Sequence, residues 1–165
     1  MRGFLCFYQA APPIPRRDKQ LIPPVCRQAG NSPVNSHSVK KIISTGQAPA
    51  AIGPYNQAIV SNGTLYVSGQ IAIIPATGEI LQGSIEEETH QVLKNIGAIL
   101  QAAGCTYKDV LKASVFVKNM HDFGRINAVY AEYFKPEFAP ARELVEVANL
   151  PKSVNIEISV IAAVK

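Results

Sequence analysis

The chain has 165 residues, 47% of them apolar and 17% charged, enough for one ordinary domain with a packed core and too apolar for wholesale disorder. No apolar run approaches the roughly 18 residues of a membrane-spanning helix, which excludes a spanning protein. Three cysteines without paired spacing exclude a disulfide scaffold and a C-x-x-C zinc site, and three histidines leave little for a histidine-rich metal centre.

The net charge of +4 is unevenly spread. Residues 1–38 hold five basic side chains (Arg2, Arg16, Arg17, Lys19, Arg27) against one acid, Asp18. Residues 39–165 hold eleven basic and eleven acidic residues, a net of zero. The high pI therefore describes the first segment and is no sign of a nucleic-acid surface on the domain. That segment also holds six of the twelve prolines, including Pro12-Pro13 and Pro23-Pro24, and cannot propagate a helix or a central strand. It reads as a disordered extension ahead of a domain at 39–165. Its arginine-rich, acid-poor composition suits an organelle-targeting presequence, mitochondrial or plastid. The alternative is an extension with no address, which would leave the protein cytoplasmic. Cys6 and Cys26 lie in it and are assigned no chemistry.

In chain order, 39–45 reads as a strand with Ile42 and Ile43. Residues 57–61 and 64–69 flank Asn62-Gly63 and predict a hairpin, because both turn positions need positive φ. Pro75-Ala76-Thr77-Gly78 is a second turn. Residues 84–103 form the clearest helix. Ser84 and Glu87 make a capping box, and Glu86, Glu87 and Glu88 put negative charge at the positive end of the helix dipole. Ile85, Thr89, Val92, Ile96, Ile99 and Ala103 recur at steps of three and four as one buried stripe. Gly104 stands where a left-handed residue ends a helix. Residues 110–118 return to strand, with Leu111, Ala113, Val115 and Val117 expected on one face. A second helix is expected over 120–135, buried through Phe123, Ile126, Tyr130 and Tyr133 and stopped by Pro136. Residues 142–148 and 154–164 are the last strands, joined through Leu150-Pro151-Lys152. The order β-β-β-α-β-α-β-β predicts an α+β domain, a mixed sheet with both helices on one face.

The other sheet face is less ordinary. In the last strand Ile156, Ile158 and Val160 share one side, while Glu157, Ser159 and Ile161 occupy the other. Lys112, Ser114, Phe116, Tyr66 and Ser68 join that second side. Two helices cannot cover both faces. A surface that still carries Tyr66, Phe116 and Ile161 predicts that another copy of the chain covers it.

Few residues offer chemistry. Arg142 opens a strand after Pro140-Ala141; its permanent charge and planar fork match a carboxylate, though a solvated edge arginine is the plainer alternative. Glu157 is flanked by Ile156 and Ile158, so its carboxylate must be paired or must hold a water. Tyr55, in the turn Gly53-Pro54-Tyr55-Asn56-Gln57, presents its hydroxyl near the first strands or simply packs. His90 and His121 show no ligand spacing and read as exposed helix positions. Cys105, just past a helix end, reads as a small packing residue. P-loop, dinucleotide, serine-hydrolase and zincin motifs are absent from the sequence. Residue types and spacing thus give a small oligomeric domain without metal or cofactor, and no function.

Longer motifs go further. Residues 48–58 (Ala48-Pro49-Ala50-Ala51-Ile52-Gly53-Pro54-Tyr55-Asn56-Gln57-Ala58) resemble the N-terminal signature of the RidA/YjgF family of reactive-intermediate deaminases. So do Ser68-Gly69-Gln70, and Val115-Phe116-Val117-Lys118 with Asp122-Phe123 and Asn127. The run Pro140-Ala141-Arg142, Val145-Glu146-Val147-Ala148, Leu150-Pro151-Lys152 and Ile156-Glu157-Ile158 is similar to the family's most diagnostic stretch. The resemblance spans 39–165 in order and spacing.

It implies a chorismate-mutase-like (RidA) α+β fold assembled as a homotrimer, with sites in clefts between subunits. It implies hydrolysis of 2-imino acids and their enamine tautomers, such as 2-iminobutanoate and 2-iminopropanoate, to 2-oxo acids and ammonia. These imines arise when PLP-dependent dehydratases act on threonine or serine, and they damage other PLP enzymes. By resemblance Arg142 clamps the substrate carboxylate and Glu157 positions or activates water. Tyr55, Ser68 and Asn127 line the cleft, and Gly69 gives close backbone approach. No metal or cofactor is implied, since an electrophilic imine needs only orientation and one placed water. The implied partners are other copies of the chain and small 2-imino acids. Leu144 stands where some bacterial members carry cysteine, and Ser159 where many carry a second acid. The alternatives are an endoribonuclease or translation inhibitor, against which the neutral domain lacks a basic stripe, and a non-catalytic trimer that binds a small ligand.

Overall fold

Asn62 and Gly63 adopt φ values of 51° and 71°, the positive pair that a tight two-residue hairpin demands. The computed structural model that shows this describes residues 40–165. The readings made for residues 1–38, and the strand start at Val39, lie outside the described residues. The strands are β1 (Lys41–Ile43), β2 (Ala58–Ser61), β3 (Thr64–Gln70), β4 (Val110–Val117), β5 (Ala141–Glu146) and β6 (Ile156–Ala163). The helices are α1 (Ile85–Ala102) and α2 (Phe123–Tyr133). One six-stranded sheet runs β1-β2-β3-β6-β4-β5, with β4 and β5 parallel and the other neighbours antiparallel. Parallel neighbours need a crossover, and α2 supplies it between β4 and β5. The order of elements is the expected one, and the sheet is mixed as predicted.

Local chemistry sets the ends of α1. Ser84 Oγ accepts from Glu87 N (3.3 Å), and Glu87 Oε2 accepts from Ser84 N (2.8 Å), closing the capping box. At the other end Gly104 has φ 76°, and Cys105 N donates to Leu100 O (2.8 Å), which also accepts from Ala103 N (3.0 Å). Val92, Leu93, Ile96 and Ile99 are fully buried, each contributing about 1.5–3 kcal/mol through apolar burial. They pack with Leu65, Val115, Ile156 and Ile158 of the sheet and Ile126 of α2 in one core. Leu93 and Leu100 widen the predicted stripe because α1 meets both the sheet and α2.

Three burial expectations need correction. Leu111 is 56% exposed. Val110 pairs with Ala162 and Lys112 with Ile161, so an extra residue bulges from β4 there and turns Leu111 outward. Phe123 is 44% exposed, and Val129 is buried beside Ile126 and Tyr130. A 3₁₀ turn, Met120–Asp122, leads into α2, and its tighter winding breaks the 3.6-residue period on which the Phe123 expectation rested. His90 is half-buried, with Nδ1 3.0 Å from the Tyr133 hydroxyl, because α1 and α2 close over it.

The face away from the helices carries one lateral row in register: Ile42, Ile59, Tyr66, Ile161 and Lys112. Within the single chain Ile42 is 57% and Tyr66 44% exposed. Nearby, Glu143 accepts from Ser114 and pairs with Lys112 (3.2 Å).

Candidate functional site

β3 and β6 fall out of step at one place. Val67 pairs with Val160, but Gln70 pairs with Ile158, so β3 carries one extra residue around Ser68 and Gly69. The bulge bends β3 beside Glu157 of β6. A Cβ at Gly69 would collide with Glu157 Oε1 and come within 2.8 Å of its Cδ. The carboxylate therefore occupies the space any other residue at 69 would need.

Glu157, Gly69, Ser68 and Tyr55 line one cleft of about 310 Å³, walled by apolar Pro49, Ile52, Ile71 and Ile73. Ser68 does more than line it: Oγ donates to Asn56 O (2.7 Å) and N donates to Gln57 O (3.0 Å), tying the Tyr55 turn to the bulge. Tyr55 is half-exposed, and its hydroxyl accepts from Ile52 N (3.3 Å).

Glu157 is half-buried, and among the described residues its carboxylate accepts no hydrogen bond and meets no cation. The ion-pair alternative therefore finds no partner among them. Desolvation alone holds its pKa above the usual value. A desolvated, unpaired carboxylate in an apolar-walled cleft is suited to take a proton from water.

Arg142 and Asn127 stand apart from this cleft. Arg142 is paired in register with Ala113, whose side chain faces the helices, whereas Glu157 is paired with Phe116 on the open face. The two charged residues thus leave the sheet from opposite faces. Arg142 Nη1 donates to Asn127 Oδ1 (2.7 Å), and its guanidinium carbon lies 4.7 Å from the centroid of the Tyr130 ring. It is exposed at an edge strand, yet it is held. Each cluster holds one kind of chemistry, and a single chain does not unite them.

Three contributors escaped sequence reasoning. Gln57 is buried; its Oε1 accepts from Thr45 N (2.7 Å), and Nε2 reaches Thr45 O (3.0 Å), Ala48 O (3.1 Å) and Pro49 O (2.8 Å). This one amide shapes the loop that walls the cleft. Buried Gln70 donates from Nε2 to Ser68 O (3.1 Å) and Gly69 O (3.3 Å), bracing the bulge. Tyr130 supports Arg142. A signal existed for Gln57, an amide within a quoted motif just before an apolar strand, but no local rule says which backbone it serves. Buried Cys105 behaves as a packing residue, with burial raising its thiol pKa. Among the described residues no group of three or more His, Cys, Asp or Glu side chains converges, and no helix is long and apolar enough to cross a membrane.

The profile of the family described as Endoribonuclease L-PSP matches residues 45–164. The chain is 50% identical over 127 residues to the 2-iminobutanoate/2-iminopropanoate deaminase of Bos taurus, covering 77% of this chain and 92% of that protein. It is 54% identical over 123 residues to the RutC family protein slr0709 of Synechocystis, covering 74% of this chain and 95% of that one. The crystal structure of the E. coli YjgF gene product superposes with a TM-score of 0.71 at 45% identity, covering 76% of this chain and 99% of its own. The structure of E. coli TdcF with bound serine superposes with a TM-score of 0.71 at 42% identity, covering 76% and 99%.

Proposed function

This chain belongs to the Endoribonuclease L-PSP (RidA/YjgF) family, and from that premise we propose that it is a hydrolytic deaminase of 2-imino acids. Its substrates would be 2-iminobutanoate, 2-iminopropanoate and their enamine tautomers, and its products 2-oxo acids and ammonia. The observation that carries this reading is the desolvated Glu157 carboxylate, unpaired among the described residues, in a small, mostly apolar cleft. The deaminase name of the Bos taurus relative supports it.

In the proposed reaction Arg142 grips the substrate carboxylate with two parallel hydrogen bonds. Glu157 takes a proton from water as the oxygen adds to the imine carbon. Glu157 passes that proton to the imine nitrogen, which gives a neutral carbinolamine. Glu157 then takes the carbinolamine hydroxyl proton as the C=O bond forms and passes it to the nitrogen, the C–N bond breaks, ammonia leaves, and Glu157 is a carboxylate again. The imine is already electrophilic, so orientation and one placed base supply what catalysis is needed. Arg142 and Glu157 leave opposite faces of the sheet, so the proposed site is shared, with Arg142 and Asn127 of one copy completing the Glu157 cleft of another. The homotrimer implied by the resemblance would provide that arrangement and cover Ile42 and Tyr66.

The test is the ammonia-releasing decay of freshly generated 2-iminobutanoate and 2-iminopropanoate. Acceleration by the wild-type chain, lost on Arg142→Ala, is expected. Equal decay with and without protein, alongside tight binding of a 2-oxo acid, would instead indicate a ligand-binding assembly.

A further inference from the structure

Arg142 is exposed, and a free arginine samples many rotamers before it can grip a ligand. Here the guanidinium is constrained from two directions. Asn127 Oδ1 accepts from Nη1 at 2.7 Å, and the Tyr130 ring lies under the guanidinium carbon at 4.7 Å. That ring is itself immobilised. Tyr130 is 7% exposed and stacks on Phe134 at 4.5 Å and 28°, and Phe134 is 3% exposed. Phe134 in turn meets the Tyr107 ring edge-on at 5.3 Å. An exposed cation is thus tied through two aromatic rings to the core.

The Tyr130 hydroxyl takes no part in this. It is buried without a hydrogen-bond partner among the described residues. Burial pushes its pKa up to about 12, against the opposing charge of Arg142, so it stays neutral. What Tyr130 offers Arg142 is the π face.

We propose that Tyr130 is a positioning residue for Arg142, a cation–π platform that fixes the guanidinium plane. With Asn127 holding Nη1, the Nε–Nη2 edge keeps two parallel donors for a carboxylate. The inference rests on the reading of Arg142 as the carboxylate clamp. A platform of this kind acts by pre-organisation: the ordering cost is met on folding rather than on binding. Its loss should weaken the grip on carboxylates about ten-fold, the scale of a partly desolvated cation–π contact.

The experiment measures KM and kcat for 2-iminobutanoate, and Kd for the product 2-oxobutanoate, on the full chain. Tyr130→Leu should raise KM and product Kd together by about ten-fold, with kcat changed far less. Tyr130→Phe, which keeps the ring, should recover most of that loss. Phenylalanines carrying successively more ring fluorines at position 130 keep the shape while weakening the π face. Affinity should fall stepwise along that series at a constant melting temperature, an effect that packing alone would not produce. A flat series, while Arg142→Ala still loses affinity, overturns the platform and spares the clamp. Unchanged affinity in Arg142→Ala overturns the clamp, and the platform with it.

Discussion

Glu157 and Arg142 are charged residues on strands of the same sheet, and the fold treats them in contrasting ways. Glu157 is half-buried in a cleft, unpaired among the described residues, with desolvation raising its pKa. Arg142 is exposed on the edge strand β5, yet a hydrogen bond and an aromatic ring hold it. In the proposed reaction Glu157 is the base, and desolvation without a partner among the described residues favours its taking a proton. The guanidinium needs no activation, only a fixed direction. The contrast teaches that burial tunes reactivity, whereas edge contacts tune orientation.

Arg142→Ala should produce the largest loss, roughly 100- to 1,000-fold in kcat/KM, because the proposed reaction gives Arg142 two charge-assisted hydrogen bonds to substrate. Its melting temperature should fall only modestly, since one exposed hydrogen bond to Asn127 and one cation–π contact to Tyr130 are lost. Mixing Arg142→Ala chains with Glu157→Gln chains, then unfolding and reassembling them together, sharpens the comparison. Partial recovery of turnover would put the two residues of one site on different copies, and no recovery would put them on the same one.

Glu157→Gln should lower kcat by about 100-fold with little change in KM, the usual worth of a general base. Its stability should move the other way. A raised carboxyl pKa means that the folded chain holds the proton more tightly than the unfolded one. That contribution is present below the unfolded pKa and is lost as pH rises through the folded value. Glutamine has no charge to desolvate, so at neutral pH the variant should melt no lower than wild type. Wild-type turnover should fall in acid with a midpoint above the ordinary glutamate value of 4.5. A midpoint below it would remove Glu157 from the base role.

Gly69→Ala should act through Glu157 alone, since the new Cβ takes the space of the carboxylate. A kcat loss of about ten-fold with a stability cost of about 1–3 kcal/mol is expected, measurable by turnover and denaturant melts. The smallest effect belongs to deletion of residues 1–38: turnover and melting temperature should match the full chain, and a truncated chain that failed to assemble would make that segment structural.

The parts of the fold legible in the sequence were those set by neighbours in the chain. Ser84 and Glu87 are three residues apart and cap α1 by themselves, and Asn62-Gly63 needs nothing beyond its own φ preferences. Leu111 was misplaced because its orientation depends on a bulge against β6, far along the chain. Phe123 was misplaced because a 3₁₀ turn precedes α2 where a regular helix was expected. Of the candidate site, Glu157 was legible as a carboxylate among isoleucines. That it lacks a partner among the described residues, and that it fills the space beside Gly69, was not.

By itself, the sequence determined the order of elements, the ends of α1, the apolar side of β6 and the residue types available for chemistry. These follow from periods of 2 and 3.6 residues and from contacts within a few positions. The tertiary structure alone decided that Tyr55, Ser68, Gly69 and Glu157 share a cleft while Arg142 and Asn127 do not. Strand register decides it: side chains alternate across a sheet, so whether residues 142 and 157 share a face depends on how β5 and β6 pair with β4, and only long-range packing sets that pairing.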